Sequence, residues 1–374
     1  MISELRHNAS PSLSASGSTE HSDGSGDNQS RTSSEIQEYT KILEGHKSQF
    51  DKLWARQYEP STPLVGFDMI RVLGTGAFGQ VVLAKHKITS VHYAIKIQKQ
   101  SVLVKTQQVH HTYYEKRILQ SVSFPLVVNM DFSFKDSTYI YFVMPFVNGG
   151  DLFTYLKKVK KLKEDLCKFY AAQIVLALEY IHFLSLVFRD LKPENIMIDS
   201  TGYLKVCDFG FCKYVDTRTY SLCGTPDYLA PETLLMKGYG KSVDWWAFGI
   251  FLYEVSAGYP PFYDANDIIR FGKVVSLHYR FPKEFSVELK DLIRNLLQVD
   301  LSRRYGILKR GVLDIKYHKF FNGINWSDIY QQNTRAPYVP QVRNEGDTRH
   351  FESNDEINYV IDPDDDYTEQ FKDF

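Results

Sequence analysis

The chain of 374 residues has few of the features that mark several large classes of protein. It has four cysteines, without the paired spacing of a zinc site, at Cys167, Cys207, Cys212 and Cys223. Because no secretory leader is visible, we expect these thiols to be reduced. No apolar run approaches the roughly 20 residues that span a bilayer, so we predict no membrane attachment. We expect a cytoplasmic protein and consider the nucleus a second compartment.

The chain also lacks an excess of charge of either sign. Its formal net charge is -1, which gives no electrostatic argument for binding nucleic acid. A hydrophobic fraction of 43% and a charged fraction of 24% are ordinary for a globular protein, and the length allows two or more lobes with separate cores. Partners must therefore be inferred from individual sites.

Composition and periodicity divide the chain into five segments. Residues 1–34 are rich in Ser, Gly, Asn and Asp and have almost no aromatic residues, which predicts disorder. We predict a helix and a linker at residues 35–66, and a small lobe of strands at residues 67–145 with one main helix at 102–122. Residues 146–321 are predicted to form a helical lobe, and residues 322–374 an extended tail. The fold class is therefore α+β with two lobes.

The densest cluster of reactive residue types lies at residues 188–195 (FRDLKPEN) and 208–210 (DFG). Transfer of a phosphoryl group to a hydroxyl requires a carboxylate that accepts or orients the proton, and metal ligands that neutralise the phosphates. Asp190 can perform the first task, and Asn195 and Asp208 the second. Each motif alone is compatible with an ordinary surface turn, but their order and spacing together favour phosphoryl transfer.

A glycine-rich stretch at residues 74–81 (GTGAFGQV) allows backbone amides to approach phosphate oxygens, because three of its positions lack a Cβ atom. The pattern alone is equally compatible with a dinucleotide-binding fold, but here two predicted strands flank it. Lys96 lies in the apolar strand that follows, where an unpaired ammonium would be unfavourable. We predict that Lys96 pairs with Glu115 and reaches the α and β phosphates, the alternative being a weak surface ion pair.

Longer phrases of the chain resemble one family. HTYYEKRIL (111–119), YSLCGTPDYLAPE (220–232), VDWWAFG (243–249), YPPF (259–262) and NLLQVDLSRRYG (295–306) are similar to AGC-group serine/threonine protein kinases, most of all to cAMP-dependent catalytic subunits. The final Phe371 and Phe374 match a pair that docks on the small lobe in that group. The resemblance covers nearly all of the chain after residue 40. It implies a bilobal protein kinase fold, with a β-rich N-lobe, a larger helical C-lobe and an AGC C-terminal tail.

The resemblance implies ATP and Mg²⁺ as cofactors and assigns residues to their binding. Catalytic roles fall on Asp190, Lys192, Lys96 and Glu115, and the metal ligands are Asn195 and Asp208. A lysine at position 192 is typical of kinases that act on Ser or Thr. The residues matched to ATP binding are Leu73, Gly74, Thr75, Gly76, Ala77, Phe78, Gly79, Val81, Ala94, Lys96, Met144, Pro145, Val147, Asp151, Glu194 and Met197.

The same resemblance implies protein substrates of the form Arg-Arg-x-Ser/Thr-hydrophobic. The acidic residues matched to arginines before the target are Asp151, Glu194 and Glu254, and Asp227 matches a more distant arginine. The pocket for the hydrophobic residue is matched by Leu222, Pro226 and Leu229. Ser221 matches the activating phosphorylation site, for which the family's cationic partners correspond to His111, Arg189, Lys213 and Arg218. The implied partner is a cAMP-binding regulatory subunit that holds the enzyme inactive.

Some positions depart from the family pattern, namely Phe188, Pro145, Asp151, Asn354 and Asp362. Phe188 keeps an apolar contact without a hydrogen bond, and the shorter Asp151 weakens the expected arginine binding. Three other functions stay open: an AGC kinase not controlled by cAMP, a pseudokinase scaffold and a metabolic nucleotide-binding enzyme. The last is disfavoured because the helix and ribose-binding acid of a Rossmann unit are missing.

Overall fold

The computed structural model describes residues 25–56, 66–352, 356–357, 367, 369–372 and 374, and of residues 25–37 it describes the backbone only. The disorder predicted for residues 1–24 and the departures at Asn354 and Asp362 lie outside the described residues. Of the described residues, those up to Lys41 belong to one compact unit and those from Ile42 onward to a second.

The first helix, α1 (Ser25–Trp54), begins ten residues before the predicted start at residue 35. The predicted start at residue 35 therefore lies inside a longer helix. Residues 25–34 have no apolar stripe, so hydrophobic periodicity gives no signal for them. Once a helix is nucleated, however, each added residue gains a backbone hydrogen bond without a further nucleation cost.

The small lobe is built on a sheet whose strands are β1 (Phe67–Gly76), β2 (Gly79–His86), β3 (His92–Lys99), β4 (Phe132–Lys135) and β5 (Tyr139–Pro145). All neighbouring strands are antiparallel, in the order β1-β2-β3-β5-β4. β-Branched and aromatic residues are frequent in them because such side chains pack well on a pleated surface. The core of this lobe includes Val72, Val82, Ile95, Phe134 and Tyr141.

Two helices follow β3, namely α2 (Gln100–Lys105) and α3 (Val109–Ser121). The single helix predicted at residues 102–122 is therefore divided. Gln107, between the two helices, has a φ angle of 58°, a left-handed conformation that cannot continue a right-handed helix. The division lets α3 carry Glu115 to the sheet independently of α2.

The large lobe is mostly helical. Its helices are α4 (Leu152–Val159), α5 (Glu164–Phe183), α6 (Pro231–Leu234), α7 (Ser242–Ala257), α8 (Asp267–Val275), α9 (Val287–Leu296), α10 (Leu313–Lys316) and α11 (Trp326–Tyr330). Most residues of α5 and α7 are buried, so these helices form the centre of the lobe. Among the described residues, none of the helices is long and apolar enough to cross a membrane.

Two short antiparallel strand pairs position the loops that carry the predicted chemistry. β6 (Leu186–Val187) pairs with β9 (Lys213–Tyr214), and β7 (Ile196–Ile198) pairs with β8 (Leu204–Val206). The loop of residues 188–195 runs from β6 to β7, and the loop of residues 207–212 runs from β8 to β9. Because both loops connect the same two strand pairs, they lie side by side.

A buried ion pair supports the large lobe. The guanidinium of Arg304 is fully buried and donates to both carboxylate oxygens of Glu232, at 2.6 and 2.9 Å. Arg304 also donates to the carbonyl oxygens of Gln298 and Ser242. These contacts satisfy the donors of a charge that would otherwise be costly to bury.

The end of the chain lies on the small lobe, as the resemblance implies. The side chains of Phe371 and Phe374 are buried, at 0% and 2% exposure. The ring of Phe374 lies 5.5 Å from that of Phe142 in the sheet, measured between centroids. Lys116 of α3 donates a hydrogen bond of 2.8 Å to the backbone oxygen of Phe374. The tail therefore braces the helix that carries Glu115.

Candidate active site

The loop of residues 188–195 is anchored by Asp244 in the first turn of α7. The fully buried carboxylate of Asp244 accepts hydrogen bonds of 2.8 Å from the backbone N–H groups of Phe188 and Arg189. Arg189 has a φ angle of 70°, a conformation unfavourable for a residue with a Cβ atom, and these hydrogen bonds help to hold it. The ring of Phe188 meets that of Phe209 edge-on at 5.3 Å, which is the apolar contact expected at this position.

Asp190 lies at the centre of a network of three donors. Its Oδ2 is 2.9 Å from Nζ of Lys192 and accepts a 2.8 Å hydrogen bond from the amide of Asn195. Its Oδ1 accepts a 2.9 Å hydrogen bond from the hydroxyl of Thr225, which in turn accepts one from Lys192 at 2.8 Å. These contacts keep the carboxylate fixed in one orientation. Sequence reasoning did not assign a role to Thr225, although it lies within the phrase at residues 220–232.

Lys96 of β3 places an ammonium group from the small lobe beside Asp208 of the DFG motif. Its ammonium is 2.6 Å from Oε1 of Glu115 and 3.4 Å from Oδ1 of Asp208. Burial alone would lower the pKa of Lys96, but the negative charges of Asp208 and Glu115 outweigh burial and raise it. Lys96 in turn lowers the pKa of Asp208, so the charged forms of both residues are favoured. The structure thus brings together the predicted pair Lys96 and Glu115.

The glycine-rich turn between β1 and β2 contains glycines of two kinds. A Cβ atom on Gly79 would lie 1.8 Å from the backbone oxygen of Ile97, so packing against β3 requires glycine there. In contrast, among the described residues a Cβ atom on Gly74 would meet no atom within 4 Å, and one on Gly76 would meet only an oxygen at 4.0 Å. Packing against the described part of the chain does not explain these two glycines, whereas close approach of phosphates to the backbone would.

The residues predicted to contact adenine lie on three strands of the sheet and on β7. Val81 is on β2, Ala94 of β3 pairs with Met144 of β5, and Met197 of β7 forms a bridge with Asp151. The other residues predicted to bind ATP lie on β1, on the turn after it, and at or just beyond the end of β5: Leu73, Thr75, Ala77, Phe78, Pro145 and Val147.

The predicted metal ligands have oxygen atoms suited to Mg²⁺. The amide nitrogen of Asn195 donates to the backbone and the side chain of Asp190, which directs the amide oxygen away from that residue. The carboxylate of Asp208 is half-exposed and has a lowered pKa, with Lys96 the largest cause. Hard oxygen donors of this kind match the preference of Mg²⁺, which usually combines one or two protein oxygens with substrate phosphates. In the described part of the chain, no group of three or more His, Cys, Asp or Glu residues is arranged to hold a metal.

Cys207 precedes the DFG motif and ties the two loops together. Its backbone N–H donates to the carbonyl of Asn195 at 2.9 Å. Burial strongly raises the pKa of its thiol. Because the thiolate is the reactive form, we expect Cys207 to react slowly with electrophiles at neutral pH.

Ser221 lies within reach of the loop that carries Asp190. Its hydroxyl accepts a hydrogen bond of 3.1 Å from Arg189 and is 3.3 Å from the hydroxyl of Thr219, to which Lys213 donates. Burial, and then the charges of His110, Arg189 and Lys213, lower the pKa of His111 and so favour its neutral form. Two of the four predicted cationic partners thus lie at this position, Arg189 bound to Ser221 itself and Lys213 bound to the neighbouring Thr219. No hydrogen bond or ion pair joins Arg218 to Ser221 among the described residues.

The four acidic residues predicted to bind substrate arginines differ in their surroundings. Glu254 is buried and accepts a short hydrogen bond from the hydroxyl of Tyr228. Burial raises the pKa of Glu254 to about 7 and also raises that of Glu194. Asp151 instead caps α4, where its two oxygens accept from the N–H and hydroxyl of Thr154 at 2.7 and 2.8 Å.

The predicted hydrophobic pocket contains one exposed and one buried leucine. Leu222 is 59% exposed, whereas Leu229 is 9% exposed and lies just after the 3-10 helix Pro226–Tyr228. Pro226 begins that helix, where a fixed φ is favourable. An exposed leucine beside a catalytic loop offers apolar surface that a bound peptide can cover.

Comparison with known proteins agrees with this geometry. The protein kinase domain model matches residues 67–321. The chain is 46% identical over 313 residues to the cAMP-dependent protein kinase catalytic subunit of Dictyostelium discoideum, covering 82% of this chain but only about half, 48%, of that relative. It is 42% identical over 314 residues to the yeast cAMP-dependent protein kinase type 3 and 42% over 320 residues to the Drosophila melanogaster catalytic subunit 2. These alignments cover 83% and 85% of this chain, and 79% and 90% of the relatives.

Two lobes, with Lys96 and Glu115 from one and Asp190, Asn195 and Asp208 from the other, define the class of protein kinases. The chain belongs to the protein kinase family, among the serine/threonine kinases similar to cAMP-dependent catalytic subunits. The predicted fold class and the family resemblance are thus confirmed.

Proposed function

We propose that this chain transfers the γ-phosphoryl group of ATP to Ser or Thr residues of proteins. The observation that carries the proposal is the position of Asp190, buried at 3% exposure and held by Lys192, Asn195 and Thr225. A carboxylate fixed in this way can orient a substrate hydroxyl and accept its proton. Lys192, beside it, can neutralise charge on the group in transfer. These contacts argue against a pseudokinase, because the catalytic groups are present and already arranged.

ATP binding would use both lobes. The amides of residues 74–79 and the ammonium of Lys96 would hold the phosphates, and Val81, Ala94, Met144 and Met197 would enclose the adenine. Asn195 and Asp208 would hold Mg²⁺, which when bound supplies neutralisation of the phosphate charge. Glu115 would position Lys96 through the 2.6 Å ion pair.

We further propose that substrates carry arginines before the target residue and a hydrophobic residue after it. Glu194 and Glu254 support this, because two neighbouring carboxylates of raised pKa favour a guanidinium that binds both. Leu222, Pro226 and Leu229 would contact the hydrophobic residue.

The named relatives are cAMP-dependent kinases, so control by a separate cAMP-binding subunit is proposed here as well. Addition of such a subunit should suppress peptide phosphorylation, and cAMP should restore it; an unaffected rate would favour a kinase with other regulation.

The test of the proposed chemistry is a peptide phosphorylation assay with ATP and Mg²⁺. Replacing Asp190 with Asn keeps the shape of the side chain but removes the base, so we expect kcat to fall by about 10²- to 10⁴-fold. The matched control is Asp165→Asn, at an exposed position in the first turn of α5, which should leave the rate unchanged. Equal rates for Asp190→Asn and the wild-type protein would contradict the proposal.

A further inference from the structure

The acidic residues beside the catalytic loop form one electrostatic group around Tyr228. Glu194 lies in the 3-10 helix Pro193–Asn195, Asp227 in the 3-10 helix Pro226–Tyr228, and Glu254 near the end of α7. Burial and then the charges of Glu254, Glu194 and Asp227 raise the pKa of the Tyr228 hydroxyl well above its usual value. The group lies beside Thr225, whose hydroxyl contacts Asp190. A peptide with its target hydroxyl at Asp190 therefore passes close to these carboxylates.

One of these carboxylates, that of Asp227, is already paired with an arginine of the chain. Arg270 of α8 reaches across to Asp227, with Nη1 at 3.1 Å from Oδ1. The side chains are 11% and 23% exposed, so the pair is largely shielded from solvent. Arg270 also forms an ion pair with Asp267 in the first turn of the same helix, which directs its guanidinium. In contrast, no ion pair involves Glu194 or Glu254 in the described part of the chain.

The contact is incomplete from the side of Arg270. Its Nη atoms bind Asp227 and Asp267, but its buried Nε has no hydrogen-bond partner within the described residues. A guanidinium bound by two carboxylates normally uses more of its five donors. Arg270 thus lies where a substrate arginine could bind Asp227, but it leaves one of its own donors, Nε, without an acceptor in the described part of the chain.

We propose that Arg270 takes the place of a substrate arginine by binding Asp227 from within the chain. An arginine placed far before the target residue of a substrate therefore does not raise kcat/KM for this kinase. This inference rests on the proposed function and deepens it. Selectivity for substrate arginines then depends on Glu194 and Glu254 near the catalytic loop. Arg270 limits this selectivity to arginines close to the target residue. Its removal exposes the carboxylate of Asp227 to the peptide.

The experiment compares synthetic peptides with the full-length enzyme. The base peptide carries two arginines close to a target serine, and an additional arginine or alanine is placed in turn at each position four to eight residues before the serine. For the wild-type enzyme, kcat/KM should change by less than about twofold across the series. For Arg270→Ala and Arg270→Gln, one position should gain roughly three- to tenfold from arginine, as a partly buried charge pair allows.

A double variant identifies the group responsible. The gain should disappear in Arg270→Ala combined with Asp227→Asn, because the freed carboxylate is then absent. Melting temperatures would show that each variant is folded, and Arg280→Ala, at an exposed position outside this group, is the matched control. A wild-type preference for distant arginine, or no gain in either Arg270 variant, would overturn the inference. Failure of the wild-type enzyme to phosphorylate the base peptide would instead refute the proposed function.

Discussion

At the scale of single residues, hydrogen bonds that cross between elements set the geometry of the catalytic loop. Asp244 binds two consecutive backbone N–H groups and thereby holds Arg189 at a positive φ angle. Arg189 in turn contacts the carbonyl of Phe211 at 2.6 Å and the hydroxyl of Ser221 at 3.1 Å. One arginine thus connects the loop of Asp190, the segment after DFG and the predicted phosphorylation site. Strain at Arg189 is tolerated because the surrounding contacts determine its conformation.

Glu254 gives a prediction for pH dependence at this scale. Burial raises the pKa of Glu254 from 4.5 to about 7, so the carboxyl group is neutral below that pH and charged above it. Only the charged form attracts a substrate arginine strongly. We therefore expect KM for an arginine peptide to rise as pH falls from about 8 to about 6, and a peptide with citrulline in place of arginine to show less change.

The control for this prediction is Glu254→Gln, which should have a high KM that no longer varies in this range. The effect on folding has the opposite sign. A raised pKa in the folded state stabilises the protein fully below the unfolded value near 4.5, and this contribution is lost as pH rises through about 7. A KM that is independent of pH in the wild-type protein would show that Glu254 does not bind the arginine.

At the scale of elements, the segment of residues 220–232 connects the predicted phosphorylation site, Ser221, to the catalytic residue Asp190. Ser221 and Thr225 lie four residues apart; the first contacts Arg189 and the second contacts Asp190. Tyr239 adds a short hydrogen bond to the backbone carbonyl of Ser221. A phosphate on Ser221 would face Arg189 of the catalytic loop and lie near Lys213 of β9, which binds the neighbouring hydroxyl of Thr219.

Phosphorylation of Ser221 is therefore predicted to raise activity. Each charge-assisted hydrogen bond contributes about 1.5 kcal/mol or more, so we expect Ser221→Ala to lower kcat/KM at least roughly tenfold relative to the phosphorylated protein. Mass spectrometry would establish the modification state, and peptide assays the rate. Ser200→Ala, in an exposed turn, is the control. If Ser221→Ala and the phosphorylated protein had equal activity, the predicted switch would be absent.

At the scale of the whole molecule, the end of the chain stabilises the small lobe. Phe371 and Phe374 are buried, and the backbone oxygen of Phe374 accepts a hydrogen bond from Lys116, one residue after Glu115. The ammonium of Lys116 also lies 4.1 Å from the centroid of the Phe374 ring. Through α3, the tail thus influences the position of the ion pair with Lys96.

Removal of this aromatic contact should affect both stability and rate. Burial of a phenylalanine contributes about 1.5 to 3 kcal/mol, so Phe374→Ala should lower the melting temperature by roughly 2 to 6 °C and also reduce kcat/KM. Val339→Ala, at a tail position that is 49% exposed, should change neither quantity beyond error. A Phe374→Ala protein with unchanged melting temperature would mean that the tail does not stabilise the lobe.

Much of this fold could be predicted because its signals are local. A short run of aromatic and β-branched residues indicated β5, and a repeat near four residues indicated α5, since each pattern follows from the geometry of one element. The early start of α1 at Ser25 and the break at Gln107 were missed. The first has no apolar stripe, and the second depends on a backbone conformation that ordinary residues adopt only rarely.

The chemistry of the site was determined by the sequence itself, because Asp190, Lys192 and Asn195 share one short loop and Asp208 follows close behind. Only the tertiary structure decided which predicted acids remain available to a substrate. Asp227 is paired with Arg270, 43 residues away, and no local pattern predicts a contact between two such elements. Asp151 is engaged in capping α4, for which its place just before a helix was a usable signal. Residue types define what a site can do, and the packing of distant elements defines which of its groups are free to do it.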